Sequence, residues 1–270
     1  ALILDVFASR ASTREGRLQV ELAQHEYLLP RLMGQWKHLE RLGGGIGTRG
    51  PGESQLETDR RLIRNKIHRL KQQIEEIRTH RSLYRQDRKR RGAPVVALVG
   101  YTNSGKSTLL NRLTKADVLV EDKLFATLDP VTRRWHLPQI GHVLLTDTVG
   151  FIQKLPPILV AAFRATLEEL SDADLLLHLV DVNHPNAAEQ VEEVQRILKG
   201  LGLSGKPAVT VLNKIDLLFD NGHRPTDDIP EVENWTVPGD MVAVSALTGR
   251  GLDRLRTLVA DRLGMAPVPI

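Results

Sequence analysis

Residues 100–107 read GYTNSGKS, and this stretch decides the fold. The apolar, valine-rich run PVVALVG at residues 94–100 leads into it and predicts a buried parallel strand. Leucines at positions 109, 110 and 113 then lie on one side of a predicted helix. The pattern G-x-x-x-x-G-K-S between a strand and a helix is typical of a phosphate-binding loop, because its glycines let backbone N–H groups point at phosphate oxygens. We therefore predict an α/β fold with a mostly parallel sheet around a phosphate site.

Two side chains of this loop have predicted roles. Lys106 is expected to reach the β- and γ-phosphates, and the hydroxyl of Ser107 is expected to bind Mg²⁺. The positive N-terminal end of the helix that starts near Lys106 adds to the attraction for phosphate. The predicted phosphate contacts are Gly100, Tyr101, Thr102, Asn103, Ser104, Gly105, Lys106, Ser107 and Thr108.

A second motif, NKID at residues 213–216, follows the apolar strand PAVTVLN and predicts that the base of the bound nucleotide is guanine. The Asp216 carboxylate can accept hydrogen bonds from the N1–H and the 2-amino group of guanine. Adenine offers neither donor, so such a site rejects adenine by ~10⁴ or more. An ATP-binding P-loop enzyme is the rival class, and NKID argues against it. Lys214 is expected along the ring, Asn213 is expected to tie this loop to the phosphate loop, and a strand at 242–248 is expected to bring Ser245, Ala246 and Leu247 to the base.

The run HVLLTDTVG at residues 142–150 predicts another buried strand, which ends at Asp147. This aspartate can hold the water shell of Mg²⁺, and the N–H of Gly150 can meet a γ-phosphate. A segment here can therefore order with GTP and relax after hydrolysis. In LFATLDP, residues 124–130, Thr127 is the candidate that completes the Mg²⁺ shell, with Thr132 as its competitor. Thr148 and Val149 are further predicted nucleotide contacts, and the predicted catalytic set is Asn103, Lys106, Ser107, Thr127, Asp147 and Gly150.

Two positions bear on the rate of hydrolysis. Phe151 stands where many GTPases have a glutamine that orients the attacking water. We expect the isolated chain to hydrolyse GTP slowly and a partner to complete the site; the alternative is that another side chain of this chain holds the water. Asn103 lies in an N-x-G-K-[ST] context, in which it can help to hold K⁺ beside the phosphates, or it can simply cap the loop.

Composition bounds the class of protein. The 270 residues, 41% hydrophobic and 26% charged, are typical of a soluble protein with two domains. The chain has no cysteine, which excludes disulfides, thiol catalysis and zinc thiolates. No apolar run approaches the ~18–20 residues of a membrane span, and no signal peptide pattern begins at Ala1. We expect a cytoplasmic protein, or one of an organelle stroma or matrix.

The net charge of +4 hides an asymmetry. Residues 58–91 contain thirteen Lys or Arg and four Asp or Glu, so the basic character belongs to this segment. A dense basic helix face is solvated by default, but this density favours a polyanionic partner whose binding weakens with salt.

Three regions are predicted: a helical, partial N-terminal domain at 1–92, a P-loop GTPase domain at 93–264 and a tail at 265–270. The apolar run at 1–7 predicts a strand, and its start without methionine indicates that part of a domain lies upstream. Pro30 is expected to kink or interrupt the first of two heptad helices, which should pair as an antiparallel coiled coil. The heptad seams are Leu18, Leu22, His25, Leu29, Leu32, Trp36 and Leu39, and Leu56, Arg60, Ile63, Ile67, Leu70, Ile74, Ile77, Arg81 and Tyr84.

Between these helices, residues 43–53 read GGGIGTRGPGE, with six glycines in eleven residues. The segment is either a flexible linker or a protruding loop that enters a phosphate-rich crevice of RNA. The candidate RNA contacts are Gly45, Gly47, Arg49, Gly50, Arg60, Arg61 and Arg64.

Over nearly its whole length the chain resembles the HflX family of ribosome-associated GTPases. The segments that carry the resemblance are ASTREGRLQVELAQ (11–24), GGGIGTRGPGESQLETDRR (43–61), GYTNSGKSTLLN (100–111), LFATLDP (124–130), DTVGFIQKLP (147–156), LVAAFRATLEEL (159–170) and NKID (213–216).

This resemblance implies a GTP-hydrolysing factor. The expected ligands are GTP or GDP and Mg²⁺, with K⁺ as a further candidate from the context of Asn103, and we expect a monomer. The resemblance further implies binding to the large ribosomal subunit and its rRNA, and splitting or recycling of ribosomes under stress. The glycine-rich tip would reach the peptidyl-transferase region. Relative to the family, both ends look truncated. The alternative function is a GTPase switch that acts on another structured RNA, or on a protein, through the helical arm.

Overall fold

A computed structural model describes residues 2–11, 13–42, 51–90, 92–114, 130–151, 170–218 and 239–264. The chain divides into two compact units, Ala1–Gln86 with Pro156–Arg164 and Asp87–Leu155 with Ala165–Ile270. The division falls six residues before the boundary predicted at residue 92, and the predicted tail at 265–270 lies outside the described residues. Within the described ranges, no helix combines the length and the apolarity that a bilayer crossing needs.

The first unit is helical. Its described elements are α1 (Leu2–Arg10), α2 (Arg14–Leu42) and α3 (Pro51–Arg90). The strand predicted for residues 1–7 is wrong, because residues 2–7 of this run lie in α1. Leu4 and Phe7 are buried while Asp5, Val6 and Ser9 are exposed. That spacing covers one face of a helix, whereas a strand would bury alternate residues.

α2 continues through Pro30, so the predicted interruption does not occur. A proline removes one bond from the helical ladder, and the many remaining turns of a 29-residue helix keep the ladder in register. A kink at this position stays a prediction.

The seam predicted on α3 is confirmed as its covered face. Leu70 is buried, and every residue from 61 to 76 outside the seam is exposed. The described seam residues, all buried or half-buried, are Arg60, Ile63, Ile67, Leu70, Ile74 and Ile77.

α2 differs from its predicted pattern, because Leu18, Leu22 and Leu29 of the seam are only half-buried and a neighbouring face is buried more deeply. The buried residues of that face are Glu15, Gly16, Gln19, Val20 and Ala23. α1 packs against α2, which explains why a second face of α2 is covered.

Two ion pairs join α2 and α3. Lys66 Nζ lies 2.8 Å from Glu21 Oε1, and Lys71 Nζ lies 2.8 Å from Glu26 Oε1. From the first ion pair to the second, the residue number rises on α2 and also on α3. In an antiparallel pair of helices, the residue number would rise along one helix and fall along the other. Long side chains at a helix crossing allow such pairs, and the antiparallel coiled coil stays a prediction.

The second unit contains a six-stranded sheet with the order β2-β3-β1-β4-β5-β6. β2 and β3 are antiparallel, and all other neighbours are parallel. The strands are β1 (Val95–Gly100), β2 (Val131–Leu137), β3 (Gly141–Asp147), β4 (Leu175–Asp181), β5 (Ala208–Asn213) and β6 (Asp240–Ala243). The helices are α4 (Lys106–Thr114), α5 (Ala187–Gly200) and α6 (Leu252–Gly264), with a short 3₁₀ helix at Ile215–Leu218. The predicted α/β fold with a mostly parallel sheet is confirmed.

Helices cover both faces of the sheet. On one face Leu98, Leu177 and Val211 belong to a buried cluster with Leu110 of α4 and Leu255 of α6. On the other face a second cluster holds Val180, Leu212, Ala187 and Val191, the last two from α5. Central strands buried on both sides need nearly continuous apolar sequence. Because parallel strands end at one edge, β1, β3 and β5 deliver GYTNSGKS, DTVG and NKID to the same place.

Candidate nucleotide-binding site

The phosphate loop, residues 100–107, turns from β1 into α4 and requires its two glycines. A Cβ on Gly100 would lie 2.4 Å from the carbonyl oxygen of Leu179. Gly105 has φ +94°, and a Cβ there would lie 2.3 Å from Asn213 Nδ2. Asn103 has φ 61°, a left-handed conformation that asparagine adopts more readily than most residues. The backbone alone therefore accounts for asparagine at this position.

Lys106 is folded over the loop. Its Nζ donates to the carbonyl oxygens of Gly100, at 3.2 Å, and Tyr101, at 2.8 Å. Burial lowers the pKa of the Lys106 ammonium from 10.5 to about 8, and the charge of Asp147 opposes that shift. The loop thus holds a cation with little water around it, and phosphate oxygens could replace the carbonyls as its partners.

Ser107 and Asp147 are in direct contact. Ser107 Oγ donates to Asp147 Oδ2 at 2.6 Å, and Asp147, the last residue of β3, is fully buried. A hydroxyl and a carboxylate oxygen side by side are ligands of the type that Mg²⁺ prefers, so the pair fits the predicted magnesium site. Thr127 lies outside the described residues. Its competitor Thr132 shares a hydrogen bond of 2.9 Å with the hydroxyl of Thr146 across β2 and β3, which commits it to the sheet.

The DTVG segment packs against the phosphate loop. A Cβ on Gly150 would lie 2.7 Å from Thr102 Cα and 3.0 Å from Lys106 Nζ, so only glycine allows this close approach. Thr148 is buried, and its hydroxyl donates to the carbonyl of Leu98 at 2.6 Å. Its side chain therefore anchors the segment to β1, and only its backbone remains available for the predicted nucleotide contact.

Phe151 joins the two loops through its backbone. Its N–H donates to the carbonyl of Gly100 at 3.0 Å, and its carbonyl accepts from Thr102 N–H at 2.8 Å. The side chain is buried, with 3% exposed. Sequence reasoning noticed only that phenylalanine cannot hold water; the structure shows that this residue fixes DTVG to the phosphate loop.

Asn213 links three loops. Its Nδ2 donates to the carbonyl of Ser104 at 2.8 Å, and its Oδ1 accepts from Ala246 N–H at 3.0 Å. The predicted tie to the phosphate loop is therefore present, and it extends to the loop after β6. The strand predicted at 242–248 ends at Ala243, so Ser245, Ala246 and Leu247 lie in a turn instead. The Ser245 hydroxyl accepts from Thr248 N–H at 3.0 Å and closes that turn.

Asp216 carries an unsatisfied acceptor. Its Oδ1 is buried and has no hydrogen-bond partner in the part of the chain that the structure describes. Such a group costs about 1–3 kcal/mol or more if it stays unpaired. The N1–H and 2-amino group of guanine are the donors that this carboxylate would need, so the residue fits a guanine base.

Lys214 is held by two residues that the sequence analysis did not select. Its Nζ lies 2.7 Å from Asp181 Oδ2, and its carbonyl accepts from Asn183 Nδ2 at 3.0 Å. These contacts hold Lys214 at φ 67°. Asp181 is the last residue of β4 and Asn183 follows it; the run LLLHLVD was an available signal for a buried strand with a polar residue at its end.

His178, in the middle of β4, was also missed. It is 1% exposed, and its Nδ1 has no hydrogen-bond partner among the described residues. Burial lowers the pKa of the His178 imidazole from 6.5 to about 4, and the positive charge of Lys106 adds to the shift. His178 is therefore neutral beside the phosphate-loop lysine.

The predicted RNA contacts fall into three groups. Arg61 and Arg64 are exposed on α3, as expected. Arg60 instead lies on the half-buried seam, with its Nε buried. Gly45, Gly47, Arg49 and Gly50 lie outside the described residues.

Two protein-family models match the chain. One is described as the GTP-binding GTPase middle region and matches residues 10–88. The other is described as a 50S ribosome-binding GTPase and matches residues 95–214. The two family models together therefore match residues of both structural units.

Relatives and solved structures agree with these models. GTPase HflX of Caldanaerobacter subterraneus subsp. tengcongensis is 55% identical over 97% of this chain and 58% of its own length. GTPase HflX of Escherichia coli is 49% identical over 97% of this chain and 60% of its own length. The chain therefore spans less than two thirds of these relatives.

Among solved structures, a GTP-binding protein from Sulfolobus solfataricus in complex with GDP has a TM-score of 0.59 at 26% identity, over 97% of this chain and 71% of that one. The bound GDP belongs to that protein, whose fold corresponds to the one described above. Taken with the phosphate loop, DTVG and NKID at one edge of a mostly parallel sheet, these similarities show that the chain belongs to the HflX family of GTPases.

Proposed function

We propose that this chain binds GTP, hydrolyses it to GDP and phosphate, and in its GTP-bound form engages the large ribosomal subunit. The observation that carries the nucleotide part is Asn213, which connects the phosphate loop at 2.8 Å with the loop after β6 at 3.0 Å. A nucleotide must contact its phosphate and base sites at the same time. Side chains that lock the two sites to each other preorganise them for that purpose.

Base selection is assigned to Asp216, whose buried oxygen has no donor of its own. With guanine the oxygen is satisfied, and with adenine it stays unpaired, so we expect GTP to bind ~10⁴-fold or more tightly than ATP. Calorimetry with both nucleotides tests this, and Asp216→Ala is the variant that should lose the discrimination. Equal binding of ATP and GTP by the wild type would overturn the assignment.

The phosphates are assigned to Lys106, the backbone N–H groups of the phosphate loop and the N–H of Gly150. Ser107 and Thr127 would hold Mg²⁺, with Asp147 on its water shell. When bound, the ion neutralises charge that develops on the β- and γ-phosphate oxygens. Lys106 exchanges its two carbonyl partners for phosphate oxygens, which stabilises its charged form.

Hydrolysis by the isolated chain is expected to be slow. The Phe151 side chain is buried and apolar, so it cannot hold the attacking water from the position after Gly150. A partner that supplies the missing group can contribute a factor on the order of 10³–10⁵. Turnover is to be measured with and without large ribosomal subunits, and an unchanged rate would contradict this part of the proposal.

A potassium ion beside the phosphates is a second route to faster hydrolysis. Asn103 is exposed in the loop, and its amide oxygen is the proposed ligand. Replacement of K⁺ by Na⁺ should then lower the turnover, and Asn103→Gly, which keeps the left-handed backbone, should remove the difference. If the wild type hydrolyses GTP equally fast in both salts, Asn103 does not bind K⁺, and its role is the left-handed backbone conformation of the loop.

The partner is proposed from the second family model, described as a 50S ribosome-binding GTPase, which matches residues 95–214. The exposed Arg61 and Arg64 on α3, with Arg49 and Gly45, Gly47 and Gly50 of the glycine-rich loop, are the proposed rRNA contacts. We propose a monomeric, cytoplasmic factor that splits or recycles ribosomes. The binding energy of the GTP-bound form would separate the subunits, and hydrolysis would then release the factor.

Co-sedimentation with large subunits in a non-hydrolysable GTP analogue tests the partnership. We expect binding with the analogue and little binding with GDP. Arg61→Gln and Arg64→Gln, each as a single substitution, should weaken it, whereas Arg78→Gln, which removes an arginine paired with Glu75, is the matched control. Binding to other structured RNA or to a protein, without binding to large subunits, would favour the alternative function.

A further inference from the structure

The hairpin of β2 and β3 is a cationic edge of the sheet. β2 is the outermost strand on its side. Residues 131–146 contain two arginines and two histidines and neither aspartate nor glutamate. Residues 93–270 as a whole contain 17 Lys or Arg and 22 Asp or Glu. The hairpin is therefore a local positive patch in a region that is otherwise acidic.

The strand pleat determines which side chains form this patch. Trp135 and Leu137 point into the core, with 1% and 0% of their surface exposed. Arg134 and His136 alternate with them and are exposed. The register pairs His136 with His142 on β3, and the two ring centroids lie 5.2 Å apart. One exposed face thus presents a guanidinium beside two imidazoles.

Arg133 adds a second exposed guanidinium at the strand edge. By strand alternation it lies on the Trp135 side, yet its side chain is exposed and Nη1 donates to the carbonyl of Thr132 at 3.0 Å. A guanidinium fork can bind phosphate with two hydrogen bonds.

Among the described residues, the two arginines of the hairpin lack the carboxylate partners that accompany other surface cations. Arg196 pairs with Glu193, Arg256 with Asp253 and Arg262 with Asp240. Within the described ranges, the four hairpin side chains make no ion pair with any carboxylate. Uncompensated charge in an acidic domain leaves a site that attracts an anionic partner.

We infer that the β2–β3 hairpin is a contact surface for the phosphate backbone of RNA, separate from the helical unit. This inference rests on the proposed partnership with the large ribosomal subunit and adds a second surface to it. Arg133 and Arg134 would bind phosphates, while the paired rings of His136 and His142 offer faces on which an unpaired base can stack. RNA suits this surface better than an acidic protein segment, because it supplies both charge and a stacking partner.

The competing explanation is that these charges only protect an edge strand. Charged side chains on an outermost strand hinder its pairing with another sheet. That role predicts aggregation when the arginines are removed and no change in RNA affinity. Arg133→Gln with Arg134→Gln removes the charges but keeps the strand polar. This variant therefore separates an effect on RNA binding from an effect on edge-to-edge pairing of the strand.

The experiment measures binding to purified large subunits, and to protein-free large-subunit rRNA, between 50 and 200 mM salt in the presence of a GTP analogue. Each lost phosphate contact lowers the slope of log K against log salt by about 0.7–0.9. For two contacts, the loss of affinity between these two salt concentrations becomes roughly tenfold smaller than in the wild type. Arg133→Lys with Arg134→Lys keeps the charges and should retain most of the wild-type slope.

The matched control is Arg196→Gln with Arg254→Gln, which removes the same charge from exposed positions on α5 and α6 and should leave the slope unchanged. GTP affinity and elution volume in size exclusion verify that each variant is folded. The wild-type slope with the Arg133/Arg134→Gln variant overturns the inference but leaves the proposed function intact. A reduced slope on subunits but not on free rRNA overturns it too, since the hairpin would then meet a protein. If the wild type binds neither probe, both proposals fail.

Discussion

Replacement of Asn213 by alanine is the sharpest test of how the site is assembled. The side chain is 1% exposed and lies at the end of β5. It gives one hydrogen bond of 2.8 Å to the phosphate loop and receives one of 3.0 Å from the loop after β6. Asn213→Ala removes both bonds and leaves the Ser104 carbonyl and the Ala246 N–H without these partners.

The expected magnitude follows from those two groups. A buried donor or acceptor that loses its partner costs about 1–3 kcal/mol, so the two together cost about 2–6 kcal/mol. If the loops relax in the free variant, the nucleotide must restore their geometry when it binds. Binding would then weaken by a factor of about 30 to 10⁴. GDP and GTP should be affected alike, because neither bond lies at the γ-phosphate position.

Chemical denaturation gives the loss of stability, and calorimetry with GDP and GTP gives the loss of affinity. Asn186→Ala is the matched control, because Asn186 precedes α5, is exposed and makes no side-chain cap bond. Asn213→Asp keeps the acceptor for Ala246 but sets a carboxylate oxygen against the Ser104 carbonyl, so it should bind at least as weakly as the alanine variant. The reasoning is refuted if Asn213→Ala binds GDP within about threefold of the wild type, or if only GTP binding suffers.

Three further predictions concern single groups. Asp216→Asn should weaken GTP binding by about 10²–10⁴, since two hydrogen bonds to a charged acceptor are lost, and should improve binding of xanthosine triphosphate; calorimetry that finds equal losses for both would contradict this. GTP affinity should fall about tenfold per pH unit above pH 8, because the pKa of Lys106 in the free protein is about 8 and phosphate binds its charged form; a flat profile from pH 7 to 9.5 would argue against it. The pKa of His178 is about 4 when folded and 6.5 when exposed, so the unfolded chain binds more protons in this window and stability falls as the pH drops from 6.5 to 4. In His178→Asn, the difference in unfolding free energy between pH 7 and 4.5 should shrink by about 2–3 kcal/mol, and an unchanged difference would disprove the assigned titration.

The sequence predicted local structure well where the geometry depends on residues of one short segment. The phosphate loop is such a case, since Gly100 and Gly105 leave no space for a Cβ. The seam of α3 is another, because a heptad spacing fixes one face of a helix whatever covers that face.

Short apolar runs predicted poorly. Residues 1–7 were expected as a strand, but residues 2–7 lie in α1, since a run of this length fits a strand or a helix until tertiary contacts select one. The predictions also omitted β2 and β4. Without β4, the residues that hold Lys214 had no assigned place.

The sequence by itself determined the α/β fold with its phosphate loop and its NKID motif, and it predicted that Mg²⁺ and guanine bind there. Each of these depends on residue types at fixed short spacings, which local backbone geometry converts into a site. Only the tertiary structure decided that Asn213 also binds the loop after β6, that Asp181 holds Lys214, and that Phe151 fixes DTVG to the phosphate loop. Those contacts connect residues that are far apart in the chain, and they form because the strand order brings the ends of parallel strands to one edge.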